Sequence, residues 1–249
     1  MNSIKNFITE FGRYLLLMKE AFKSPQNWRV FYRKVVFEMK ALGIDSITIV
    51  LFISIFIGAA IVIQIILNMD SPLYPKWIYG FASRKAIILE LAPTIISLIL
   101  AGKCASRIAS EIGTQRITEQ IDALEVMGVN TASYLILPKV MACVLFFPLL
   151  MIMSIFSAII GGGLGGVSTG AMTVFQYIEG LRLEFSSMEI VYALVKATIN
   201  AIIISTIACY RGYTIKGGSV EVGQESTKAI VQSSIVIMIF NILITSLFN

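Results

Sequence analysis

The chain has 249 residues, of which 57% are hydrophobic and 14% charged, and its mean hydropathy is +0.83. Soluble domains carry about a quarter charged residues and have no need of several charge-free runs of the roughly 20 apolar residues that cross a bilayer, so the composition excludes an ordinary globular protein and points to an integral membrane one. The absence of histidine removes the commonest general base and metal ligand, which makes an enzyme or a metal site less expected without excluding either, and the widely spaced Cys104, Cys143 and Cys209 are unlike a disulfide framework.

Residues 3–23 place Ile4, Phe7, Ile8, Phe11, Leu15, Met18 and Phe22 on one helical stripe, with Lys5, Arg13, Lys19 and Lys23 mostly elsewhere, until Ser24 and Pro25 interrupt it. A second stripe follows in Trp28, Phe31, Val35, Met39 and Leu42. Basic amphipathic helices of this kind lie in the headgroup plane with Lys and Arg toward anionic lipid, or pack their apolar stripe on protein. Residues 1–45 are therefore expected to form an amphipathic interfacial region. Charge throughout that region argues against a cleavable signal, so the first span is expected to direct insertion.

Five spans are expected over about 46–68, 86–104, 137–160, 190–210 and 229–248. The fold class is thus an all-α integral membrane protein, with residues 46–249 as its five-span domain. With the N-terminus cytoplasmic, fifteen Lys and Arg fall in cytoplasmic segments, against Lys76, Arg84, Lys85 and Arg182 in outer loops. The positive-inside rule fixes that orientation, with the C-terminus on the outer side, and accounts for the net charge of +5 without a nucleic-acid partner. The glycine-rich stretch IGGGLGGVSTG at 160–170 has no lysine and so is not a phosphate-binding P-loop. Small residues there suit close helix packing.

Between spans two and three, residues 111–130 read EIGTQRITEQIDALEVMGVN. Helical spacing puts Ile117, Ile121, Leu124 and Met127 on one face and Glu119, Asp122 and Glu125 on another. The segment from Lys103 to Gly128 has three basic and four acidic residues, which gives it no attraction to anionic lipid. A groove on a cytosolic protein suits it better, and it is expected to be a cytoplasmic coupling helix at about 105–129.

Glu90 and Lys196 are costly inside a membrane and need a reason. Counted from the outer ends of their spans they lie about 6 and 9 Å deep at 1.5 Å per residue, which allows them to pair, with Asn241 on a comparable level. Thr94 shares a helix face with Glu90, and Asn200 lies one turn from Lys196. Two readings stay open: a buried pair that fixes helix register, or the polar end of a substrate pocket whose apolar wall includes Ile61, Gln64, Ile65 and Asn68 of the first span. The residues also leave open an ion-coupled secondary carrier with Glu90 as proton site, although five unequal spans show no inverted repeat, or a non-transporting membrane scaffold.

Several stretches carry a resemblance. Asp122-Ala123-Leu124, Gly128 and Ile136-Leu137-Pro138 resemble, at shorter spacing, the loop by which bacterial ABC importer permeases engage their ATPase. Nearly the whole chain resembles the MlaE family of ABC lipid-transporter permeases, through ELAP at 90–93, LAGKCASRIASEIGTQRITEQIDALEVMGV at 100–129, LPKV at 137–140, RGY at 211–213 and VQSS at 231–234, with Phe11-Gly12-Arg13, Ile57-Gly58 and Gln64 also similar. The resemblance implies the permease subunit of an ATP-driven transporter in a bacterial inner membrane, moving phospholipid between that membrane and the periplasmic side and so maintaining outer-membrane lipid organisation. Its implied partners are a second copy of the chain, a cytosolic ABC ATPase that binds ATP and Mg, an outer-side MCE-domain protein of the MlaD kind, and membrane phospholipid. No cofactor is implied on this chain. It also implies that Glu111, Arg116, Glu119, Asp122 and Glu125 couple to the ATPase, and that Glu90 and Lys196 match the family's intramembrane acidic and basic positions. The chain departs from the family pattern at Leu89, where a basic residue is usual, at Ala92 in place of glycine, and at Asn241, where some relatives have an acid.

Overall fold

The computed structural model describes residues 2–69 and 75–248, and the side chains of residues 2–7 and 248 fall outside that description. The side chains of Ile4 and Phe7 in the first apolar stripe, and of Lys5 beside it, therefore lie outside the described residues. Among the described residues every regular element is helical: α1 (Asn2–Ala21), α2 (Trp28–Asn68), α3 (Ile78–Ile117), α4 (Gln120–Val126), α5 (Thr131–Ser168), α6 (Val174–Arg182), α7 (Ser187–Tyr213) and α8 (Ser219–Phe248). The five expected spans correspond to α2, α3, α5, α7 and α8, each long and apolar enough to cross a membrane.

The helices run well beyond the apolar segments. Asn27 caps α2 by accepting hydrogen bonds from the Arg29 and Val30 amides at 3.0 and 3.3 Å, the ordinary chemistry of an N-terminal cap. From there the second amphipathic stripe and the first span form one helix, joined by a π-helical segment, Met39–Ile44, instead of a loop. No Pro or turn-forming pair interrupts residues 28–68, so nothing in the backbone requires a break. In α3, Pro93 offers no amide to its turn, and the helix widens into a π segment over Ile87–Ile96. A second widening, Ala101–Ala105, precedes the regular turns of Ser106–Ile117.

The polar segment expected as one helix at about 105–129 is two. Its first part is the end of α3. The Thr118 hydroxyl donates to the Thr114 carbonyl at 2.8 Å, and Glu119 then takes a left-handed conformation with φ 60°, a cost of about 1–2 kcal/mol for a residue with a Cβ. α4 follows and ends at Gly128, φ +75°, where the Val129 amide returns to the Leu124 carbonyl at 3.1 Å. α6 was not expected at all. Thr173 and Gln176 start it with reciprocal side-chain and backbone hydrogen bonds, a capping box.

By its contacts the chain divides into two units: Met1–Ile44, Leu100–Leu145 and Ala201–Ile239 in the first, Asp45–Ile99, Phe146–Asn200 and Phe240–Asn249 in the second. In the first unit α1 packs on α7, where Tyr14 donates to Thr206 Oγ1 at 2.9 Å and meets Tyr210 edge-on at 5.6 Å. Met18 is buried there, whereas Ile8, Phe11, Leu15 and Phe22 of the same stripe are exposed. Phe31, Val35 and Ala142 form a further small core between α2 and α5.

In the second unit α2 and α5 touch backbone to backbone. A Cβ on Gly58 would run into the Ala158 carbonyl, and one on Gly161 into the Ile55 carbonyl. The Ser54 and Ser154 hydroxyls, 2.9 Å apart, satisfy each other along the same seam. Lipid supplies no hydrophobic drive for helix association, so dispersion at close range must hold such a seam. The glycine-rich stretch is thus largely a helix-packing surface, carried by α5 up to Ser168. Gly58→Ala should cost about 1–3 kcal/mol through overpacking. Gly12→Ala on α1, where nothing lies within 4 Å of the added methyl, should gain up to about 1 kcal/mol from helix propensity. Thermal unfolding of the two variants in detergent should move in opposite directions.

Candidate functional site

Two polar groups stand out in this apolar chain, one in each unit. In the second unit Lys196 of α7 reaches the π segment of α3. Its ammonium donates to the Leu89 carbonyl at 3.0 Å, Glu90 Oε1 at 3.1 Å and Thr245 Oγ1 at 2.9 Å. Three donors meet three acceptors, which is how a lysine with a fully buried side chain avoids the desolvation cost of an unpaired charge. The Tyr192 ring lies 4.5 Å from the same nitrogen, and its hydroxyl donates to Thr245 at 3.1 Å. Thr245 has Glu90 Oε1 and the Asn241 carbonyl as acceptors, both at 2.8 Å. Asn241 donates its amide to Thr94 at 3.1 Å, and Asn200 donates to Ser97 at 2.8 Å.

The pair is unequal in exposure. Lys196 is sealed, whereas 45% of the Glu90 side chain is exposed, so the carboxylate is the group that another molecule can meet and the ammonium is what holds it. Glu90, Thr94, Lys196 and Asn241 thus come together. Ile61, Gln64, Ile65 and Asn68 do not join them through any hydrogen bond among the described residues. Gln64 and Asn68 are exposed and Ile61 is half-buried, while Ile65 packs against the core of Val62, Ile66, Tyr79, Met172 and Tyr177. A small cavity in the same unit is lined instead by Ser54, Ile57, Ile87 and Ser154, among others.

Thr245, at the centre of this network, escapes a sequence reading that stops at Asn241. The signal available was its position one turn further along the same helix face. Arg84, expected in an outer loop, is buried at 1% exposure. Its guanidinium donates to the Leu181 and Leu183 carbonyls at 2.8 Å each, to the Glu184 carbonyl at 3.4 Å and to Glu189 Oε1 at 3.3 Å. The reason is the early start of α3 at Ile78, which makes Arg84 a helix residue facing the end of α6.

In the first unit the polar segment is tied down more than its sequence suggests. Lys139 of α5 pairs with Glu38 of α2 at 2.6 Å and with Glu111 of α3 at 2.8 Å, the lysine side chain being 2% exposed. Arg116 pairs with Asp122 at 2.7 Å and lies over the Tyr213 ring at 5.8 Å. Glu125 Oε1 accepts from the Tyr213 hydroxyl at 3.0 Å and from Thr131 at 3.1 Å, the two hydroxyls being 2.7 Å apart. Of the five residues the sequence assigns to coupling, Glu119 alone has no side-chain partner among the described residues.

The expected apolar ridge also divides. Ile121 is fully buried, Ile117 and Leu124 are half-buried, and Met127 is 68% exposed beside Val126 at 89%. The turn at Glu119 shifts the register of everything after it, so a single helical wheel through 111–130 assigns the wrong faces. Glu119, Gln120, Asp122, Ala123, Glu125, Val126 and Met127 are exposed, and of these Val126 and Met127 are the large apolar ones. Near α7 and α8, Arg211 is gripped by Gln232 at 2.7 Å and Glu225 at 3.3 Å, a contact that sequence spacing did not announce. No group of three or more metal-ligating side chains occurs among the described residues.

Removing one member of the intramembrane pair should have unequal effects. Glu90→Gln leaves the sealed ammonium without its counter-charge and should cost about 3–5 kcal/mol. Lys196→Met leaves a carboxylate with access to its surroundings and a hydrogen bond from Thr245, so its cost should be smaller. Unfolding midpoints of the two variants in the same detergent check the order, and the reverse order would refute this reading of the burial.

The permease MlaE family matches residues 35–247. A probable ABC transporter permease protein of Rickettsia bellii is 32% identical over 248 residues, covering 95% of this chain and 91% of that one. A probable ABC transporter permease protein of Synechocystis is 31% identical over 225 residues, 90% of this chain and 85% of the relative. The intermembrane phospholipid transport system permease protein MlaE of Haemophilus influenzae is 26% identical over 246 residues, 97% and 93% of the two chains.

Proposed function

The chain belongs to the MlaE permease family, and from that premise we propose that it is the membrane-spanning subunit of an ATP-driven transporter that moves phospholipid between a bacterial inner membrane and the periplasmic side, so maintaining the lipid organisation of the outer membrane. It works as a homodimer with a cytosolic ABC ATPase, which binds ATP and Mg, and with an outer-side MCE-domain protein. Its N-terminus is cytoplasmic and its C-terminus periplasmic. Residues 1–45 form its interfacial region, exposing Ile8, Phe11, Leu15 and Trp28 to the headgroup boundary.

One observation of geometry supports this reading above the others. The short helix α4 presents Val126 and Met127, at 89% and 68% exposure, at its C-terminal end, and at its N-terminal end the exposed carboxylate of Glu119, which has no side-chain partner among the described residues. Two exposed apolar side chains on a short helix that also carries exposed acidic ones fit an apolar groove with a basic rim on a cytosolic subunit. Closure of an ATPase pair around ATP pushes on α4, and the family's intramembrane charges supply the other end of the path. There the exposed part of Glu90 meets the lipid headgroup, and Lys196, Thr245 and Asn241 hold that carboxylate in place. The substrate's acyl chains run along the apolar wall that includes Ile61, Gln64, Ile65 and Asn68.

The test is reconstitution of the chain with its ATPase and MCE partner in proteoliposomes containing a fluorescent phospholipid. Val126→Asp combined with Met127→Asp is expected to lower ATPase retention and ATP-dependent lipid movement at least tenfold. Undiminished ATP-driven movement in that variant would overturn the coupling assignment. Movement that continues without any ATPase and collapses with the proton gradient would establish an ion-coupled carrier, and a stable assembly that moves no lipid under any condition would establish a scaffold.

A further inference from the structure

The charges of the polar segment are exposed or half-buried, yet most of them are bound to partners within the chain. Arg116 and Glu125 converge on one side chain, Tyr213, at the C-terminal end of α7, and Asp122 holds Arg116 there. Its hydroxyl bonds Glu125 at 3.0 Å and lies 2.7 Å from Thr131, and its ring lies beneath the Arg116 guanidinium at 5.8 Å. Thr131, the first residue of α5, donates to the same Glu125 oxygen at 3.1 Å. Arg116 closes the circuit by pairing with Asp122 inside α4 at 2.7 Å. One aromatic residue thus joins α3, α4, α5 and α7.

The neighbouring backbone is equally close. A Cβ on Gly212 would lie 2.7 Å from the Ala109 carbonyl oxygen, and one on Gly113 would run into the Ile215 side chain. The end of α7 is therefore packed without slack against α3, and Ile121 fixes the inner face of α4 by complete burial. α4 has seven residues, too few to hold a helix by itself when isolated helices below about 12 residues are marginal. What gives it a fixed place is this set of contacts.

We propose that Tyr213 is the positioning residue that clamps α4 to α7, so that displacement of α4 is passed to the helix that also carries Lys196. The clamp rests on the transporter reading for its purpose, but its existence can be tested separately. Arg116, Asp122 and Glu125 act within the chain in this scheme, and contact with the ATPase falls to Glu119, Val126 and Met127.

The experiment uses the whole complex in nanodiscs of phosphatidylethanolamine and phosphatidylglycerol, with two readouts: amide hydrogen exchange over residues 120–127, and fluorescent phospholipid moved per ATP hydrolysed in matching proteoliposomes. Tyr213→Phe keeps the ring and loses the hydroxyl. It is expected to speed exchange at least fivefold and to lower lipid moved per ATP at least threefold. Tyr213→Leu, which also removes the ring from Arg116, should go further in both. Thr131→Val removes the second donor from a different helix and should repeat the Tyr213→Phe pattern at smaller size, so that loss of fold in one variant does not decide the matter. Faster exchange with an unchanged lipid-to-ATP ratio would reduce Tyr213 to a structural contact, and unchanged exchange would remove the clamp. If the parent complex hydrolyses ATP and moves no lipid, the transporter reading fails and the coupling role with it, while the exchange comparison still decides whether Tyr213 holds α4.

Discussion

Every charge that this chain takes out of water has to find its partner within the chain, because hydrocarbon offers none. The structure meets that demand with several partners for each cation more than with isolated pairs. Lys196 has three acceptors, Arg84 has three carbonyls and a carboxylate, and Lys139 lies between two carboxylates. Each of these cations is nearly or wholly buried, and each joins elements far apart in sequence. Stability is an uncertain benefit of buried ion pairs, but register is a definite one. A helix held by a saturated ammonium cannot rotate by one residue without leaving donors and acceptors orphaned.

The unsaturated positions are informative for the same reason. Glu90 keeps one carboxylate oxygen outside the network, and Asn200 and Asn241 each keep a buried side-chain oxygen without a partner. Buried acceptors are normally satisfied, and these two oxygens, without partners among the described residues, lie on the helices that carry Lys196 and Thr245. In the first unit Glu38 likewise has one unpartnered oxygen beside Lys139. Saturation holds the helices, and the remaining valences set the polarity available to anything that approaches.

The large features were legible in the sequence because they depend on sums over many residues. Five apolar runs gave five membrane-length helices, and a polar interval gave a structured turn between the second and third. The pairing of Glu90 with Lys196 was also legible, since two opposite charges at matched depth in an apolar chain have few other options. The remainder was hidden by backbone events that single residues control. Glu119 turns left-handed, and the face assignments beyond it change with it. α3 begins at Ile78, so Arg84 becomes a buried staple where a solvated loop charge was expected. Thr245 and Tyr213 contribute hydroxyls whose importance comes entirely from their neighbours, and a hydroxyl has no charge to announce itself in composition or spacing. Gln64 and Asn68 share one face of α2 by their i, i+4 spacing, and spacing does not say what that face meets.

Arg84 also sets how α6 can change over generations. That helix has nine residues and turns Val174, Phe175 and Ile178 outward, while its C-terminal carbonyls rest on a guanidinium supplied by another helix. A planar fork that bonds Leu181 and Leu183 together is not replaced by lysine, whose compact charge has no such geometry. The outward residues, by contrast, answer only to whatever they touch. α6 therefore keeps its place through its C-terminal end, and its outward side chains can be exchanged without moving the helix that presents them.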